Sequence, residues 1–202
     1  MTPDISWTEN IKEVGLSIRH PELLAKRWSD RGIAPDQAPH VKVFGVLLAA
    51  AILGVAIYGL VMQMHHGPAR MMQSALLLPM AAGGAWSIAL PSLYIIKRLF
   101  GSELDHTTLL LVALITVSFG SMAMLASVPV TLFFELALPY TIVRIGVHAL
   151  VFTGVGFCMG DVLMRTIRVV EPDKTQLYPM LWLGLLSLLG AQLMWLFGIF
   201  DL

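Results

Sequence analysis

Five ionisable residues stand within or beside two neighbouring apolar stretches: Glu135, Arg144, His148, Asp161 and Arg165. Arg144 and His148 are four residues apart, as are Asp161 and Arg165, so each pair shares a helical face one turn apart. Glu135 precedes Arg144 across a turn that contains Pro139. A carboxylate, a guanidinium and an imidazole at membrane depth are costly unless partnered, so they mark either a path for ions or solutes or a structural pair. The spacing favours ion pairs, Glu135 with Arg144 and Asp161 with Arg165, and leaves His148 as a separate polar site. His148 and Asp161 are 13 residues apart, which is about 20 Å of rise and about 140° of rotation on a helix. That separation excludes a two-residue site or a continuous relay along one helix.

Haem held by two imidazoles needs a second histidine at the depth of His148. His65 and His66 fall in a connection beyond the apolar stretches, and His40 and His106 belong to the other side, so neither haem nor another metal is expected. The single cysteine, Cys158, excludes an internal disulfide and a thiolate cluster and is expected to pack as a small apolar residue. No catalytic or cofactor motif stands out. The expectation is a protein with no catalytic residue, no cofactor and no metal.

These groups are carried by apolar stretches at 43–64, 74–96, 107–134, 141–164 and 177–200, four of them free of Asp, Glu, Lys and Arg. Roughly 20 apolar residues cross the hydrocarbon core, and helices satisfy their own backbone there. The short alternating strands of a membrane barrel are absent. The expected fold is all-α: a polytopic transmembrane bundle of five helices over 41–202, preceded by a cytoplasmic amphipathic arm over 1–40. A hydrophobic fraction of 57% with only 13% charged residues agrees. A net charge of zero argues against a nucleic-acid partner. Residues 1–20 lack the apolar run of a signal peptide.

Eleven of the 13 basic residues lie before the first stretch, after the second, or between the fourth and fifth. Only Arg70 falls in an opposite connection, and Arg144 lies inside a stretch. This asymmetry predicts a cytoplasmic N-terminus, an outer C-terminus and, most simply, a bacterial inner membrane. In the arm, Trp7, Ile11, Val14 and Ile18 recur at helical spacing, and after Pro21 a second short helix carries Leu24 and Trp28 on one side. These apolar faces must cover lipid, the bundle itself or another protein, with Lys26, Arg27 and Arg31 suited to anionic headgroups.

Small residues recur at intervals of four in the spans, notably Ala50 with Gly54 and Gly156 with Gly160, and are expected at close helix contacts. Pro79, Pro91 and Pro129 are expected to kink their helices, with Ser or Thr hydroxyls meeting the freed carbonyls. The arrangement of a polar N-terminal segment, five closely spaced spans and short loops resembles the Yip1-like membrane proteins. Ala89-Leu-Pro-Ser-Leu-Tyr94 and Ser127-Val-Pro-Val130 are similar to segments of uncharacterised bacterial proteins of that type. The resemblance implies a non-enzymatic protein that works by association. Two functions follow as expectations: a membrane subunit, scaffold or anchor that assembles with other membrane proteins or itself, or a small oligomeric permease or channel using the fourth span.

Overall fold

The computed structural model describes residues 20–31, 38–138, 140–173 and 177–199. Six α-helices and one 3-10 turn account for nearly all of them, with no strand among the described residues. A short helix α1 (Pro21–Arg31) is followed by five long ones: α2 (Ala38–Met62), α3 (Pro68–Leu99), α4 (His106–Ala137), α5 (Thr141–Val170) and α6 (Leu177–Leu196). All five are long and apolar enough to cross a membrane, which makes this a multi-pass integral membrane protein. The expected contacts of Trp7, Ile11, Val14 and Ile18, and of the Trp28 side chain, lie outside the described residues.

α3 and α4, at 32 residues each, run past the apolar stretches read from sequence. Such a helix is about 48 Å long, against a hydrocarbon core of about 30 Å. Hydropathy marks only the part that meets lipid tails, whereas backbone hydrogen bonding carries the helix on into the headgroup region. The first and last helices end earlier than expected, at Met62 and Leu196, and the first begins earlier too, at Ala38. After Met62 a 3-10 turn (Met64–His66) leads through Gly67 to Pro68, which opens α3 at a position where a missing N–H costs nothing.

Two glycines close helices by the same device. Gly101 at φ 68° and Gly198 at φ 63° take the left-handed conformation that favours glycine. Ser102 N–H reaches back to the Lys97 carbonyl and Ile199 N–H to that of Met194, so each turn satisfies carbonyls its helix leaves open. The second turn sends Ile199 into the core, where its carbonyl accepts from Gln63 Nε2 at 3.1 Å.

α4 is the centre of the bundle and its most buried span. It packs against α2 and α5; α2 packs in turn on α3, and α3 on α6. The α5–α6 seam is the sparsest contact of this ring. At one end α1 lies on α5 and α4, with Leu24 and Ala25 fully buried in a cluster with Leu104, Leu163 and Ile167. Of the three surfaces open to the arm, Leu24 therefore covers the bundle itself.

At Pro91 and Pro129 the nearby serine hydroxyls do not meet the carbonyls expected to need them. Pro79 and Pro91 lie inside a continuous α3, and Pro129 inside a continuous α4. A proline frees the carbonyl four residues before it, here Leu125 for Pro129 and Ser87 for Pro91. The serine hydroxyls donate elsewhere, Ser127 to the Met124 carbonyl at 2.6 Å and Ser87 to that of Gly83, one turn back, at 2.8 Å.

Candidate functional site

At the end of the bundle away from α1, four polar side chains from three helices meet. Tyr58 on α2 is fully buried, and its hydroxyl lies 2.8 Å from His148 Nδ1 on α5. His148 Nε2 lies 3.2 Å from Glu135 Oε1 on α4. The other carboxylate oxygen, Oε2, faces Arg144 Nη1 at 3.7 Å, and Arg144 Nη2 donates to Thr141 Oγ1 at 3.2 Å. Beside an ionised Glu135, Nε2–H donates to the carboxylate and Nδ1 accepts from Tyr58, which gives each ring nitrogen one partner. All four residues are buried.

The structure thus places Glu135 near Arg144, as the spacing suggested, but also joins His148 to the same carboxylate. His148 is not a separate site. Glu135 is placed to meet two partners because α4 ends two turns beyond Thr131 and the chain returns directly into α5. Tyr58 was not legible as a member: it lies 90 residues from His148, and a tyrosine near a span end reads as an interface anchor. Glu135 Oε2 and Arg144 Nε make no hydrogen bond, so this ion pair is loosely closed. The adjacent 3-10 turn carries His66, whose imidazole is pushed below its usual pKa by burial and by the positive charges of Arg144, His65 and Arg70.

Asp161 and Arg165 hydrogen-bond to each other near the other end of α5, both more than half exposed. They stand on the surface rather than within the bundle. The same outward face of α5 carries Gly146, Ala149, Thr153 and Gly154, all exposed. Thr153 Oγ donates to the Ala149 carbonyl one turn back.

A second polar cluster, which the sequence did not announce, joins two connections at the α1 end. Glu171 accepts from Ser102 Oγ at 2.7 Å, from the Glu103 backbone N–H at 3.1 Å and from the Tyr178 hydroxyl at 3.0 Å. Lys97, buried to 4% exposure, donates to the Leu104 carbonyl. Asp105 caps α4 by accepting from the Thr107 N–H and hydroxyl; those bonds hold its carboxyl below the usual carboxylate range.

The small-residue pairs divide. A Cβ on Gly54 would meet Ser121 Oγ at 2.2 Å and the Ser121 carbonyl at 2.7 Å, so α2 and α4 approach there by necessity. Ser121 and Ser118 use that proximity to donate to the Ala50 and Leu47 carbonyls. Gly156 corrects the expectation: nothing lies within 4 Å of its Cβ position, because it borders a cavity, and Gly160 meets only the Leu183 side chain at 3.3 Å. Gly59 against Ser74 and Gly120 against Met159 are the other close approaches, neither marked by an i, i+4 partner that sequence reading picked out. Among the described residues no group of three or more His, Cys, Asp or Glu is placed to hold a metal. The chain matches no family model, no curated protein and no solved structure.

Proposed function

We propose that this protein is a non-catalytic integral-membrane subunit or anchor that works by associating with another membrane helix through α5. The observation that carries the reading is the outward face of α5. On that face the small and polar Gly146, Ala149, Thr153 and Gly154 alternate with the exposed apolar Ile142, Leu150 and Phe157, which gives a neighbouring helix grooves between ridges. Small residues let a second backbone approach closely, and packing of that kind drives association inside a bilayer. The exposed Asp161–Arg165 pair extends the same face toward the headgroups, where a partner can meet it.

The permease reading has less support. It relies on Arg144 and His148, and these are turned inward onto Glu135 and Tyr58 rather than toward a face that an oligomer could share. A Yip1-like role by association is compatible with the α5 reading. The distribution of basic residues supports a reading in which the α1 end faces the cytoplasm and the protein belongs to a bacterial inner membrane.

The test is native mass spectrometry of the full chain purified in mild detergent. The unmodified protein is expected to carry an additional chain, which Gly146→Leu with Thr153→Leu releases while helix content stays unchanged. A single chain in both preparations overturns the proposal.

A further inference from the structure

Three buried polar atoms around the Tyr58–His148–Glu135–Arg144 cluster make no hydrogen bond: Thr131 Oγ1, Glu135 Oε2 and Arg144 Nε. Thr131 is fully buried one turn before Glu135 on α4, within reach of the Tyr58 hydroxyl. That hydroxyl has a single proton, and beside an ionised Glu135 it goes to His148 Nδ1. Thr131 Oγ1 is then an acceptor left idle in the interior, where such groups are nearly always used.

One added proton changes this pattern. On Glu135 Oε2 it would face the Arg144 guanidinium, itself a donor. In the bond between Glu135 Oε1 and His148 Nε2 it is shared by two acceptors. The pair then holds two protons, one between Oε1 and Nε2 and one on Nδ1, and they belong to the pair rather than to either residue. Nδ1–H now donates to the Tyr58 oxygen, and the Tyr58 hydroxyl turns to Thr131 Oγ1. The proton comes from water, and no other group gives one up.

We propose that Glu135 and His148 form a binding site for one proton, whose uptake reverses the hydrogen-bond chain through Tyr58 to Thr131 and releases Arg144. The release follows from charge. Arg144 Nη1 stands 3.7 Å from Oε2, and the added proton cancels the negative charge that keeps it there. Around the pair stand Tyr58 from α2, His65 and His66 from the 3-10 turn, Arg70 from α3 and Arg144 from α5 itself. The described residues of α6 bring no charge. One to two turns further into the bundle the same helices offer only Val55, Met124 and Val155, an apolar floor. The proton therefore enters and leaves by the end that carries exposed His65 and His66, so the site reads the pH of one compartment and conducts nothing.

Nitrogen NMR of the full-length protein, labelled with 15N-histidine and reconstituted in lipid, follows the chain directly. The His148 signals are assigned by contact with the Tyr58 ring, 5.9 Å away, and by their loss in His148→Gln. As pH is lowered, Nδ1 is expected to change from a bare acceptor to an N–H in one step. Nδ1 remaining bare until the protein unfolds overturns the proposal. Thr131→Val keeps the side-chain shape but removes the acceptor, and is expected to lower the transition by about one pH unit, the worth of one hydrogen bond; Thr131→Ser is expected to restore it. An unmoved transition in Thr131→Val overturns the reversal of the chain. Glu135→Gln is expected to abolish the step, and equal titration in that variant assigns the proton to the imidazole alone and overturns the paired site. Arg144→Gln is expected to raise the transition, since proton uptake then no longer displaces a cation from the carboxylate; no rise overturns the release of Arg144.

Discussion

Glu135 holds its end of the bundle together because each carboxylate oxygen faces a different partner on α5, and one of those partners reaches α2. Arg144→Ala leaves the buried carboxylate without its cation, which costs about 3–5 kcal/mol. Adding Glu135→Gln removes the unpaired charge and is expected to recover part of that loss. Tyr58→Phe leaves His148 Nδ1 buried without a donor and is expected to cost about 1–3 kcal/mol. Thermal unfolding in detergent checks all three. Full stability in Arg144→Ala would mean that the pair carries no structural weight. The Glu135–Arg144 pairing was legible because both ends of a short turn are local in sequence. The Tyr58 contact was not, since it depends on how α2 lies against α5.

At the scale of elements, contact between α2 and α4 is limited by the backbone itself at Gly54. Gly54→Ala drives a Cβ into Ser121 and its carbonyl, and overpacking of this kind costs about 1–3 kcal/mol. Gly156→Ala meets open space and is expected to leave stability unchanged or slightly raised. Equal loss from both changes would remove the distinction. The start of α4 supplies a pH test. The carboxyl of Asp105 is held below its unfolded value by Thr107, so its contribution is present above the ordinary Asp pKa of about 3.9. It is lost as pH falls through the depressed folded value. Asp105→Ala is expected to cost about 1 kcal/mol at neutral pH, while Asp105→Asn keeps a cap but abolishes this acid dependence. Melting curves of both variants at neutral and acid pH decide it.

For the whole molecule, five crossings and the distribution of Lys and Arg predict that the two ends of the bundle face opposite compartments. In a Cys158→Ala background, Glu103→Cys and His65→Cys stand exposed at opposite ends and suit membrane-impermeant labelling. His65→Cys is expected to label from outside in intact cells, and Glu103→Cys only after permeabilisation. Labelling of both from outside would refute the topology. Ser102 is less suitable as a probe because it is buried against Glu171.

The number of spans and their helical nature followed from sequence alone, because a lipid environment leaves a long uncharged stretch almost no other way to satisfy its backbone. Local pairs followed for the same kind of reason: spacing along one helix, or across one short turn, fixes separation. Tertiary structure alone decided which helices are neighbours. Neighbour choice turns on small steric matches, such as Gly54 against Ser121, that carry no periodic signature and differ little from the lipid contacts they replace. It therefore also decided that His148 faces Tyr58, that Gly156 borders a cavity instead of a helix, and that Glu171 ties two distant connections together.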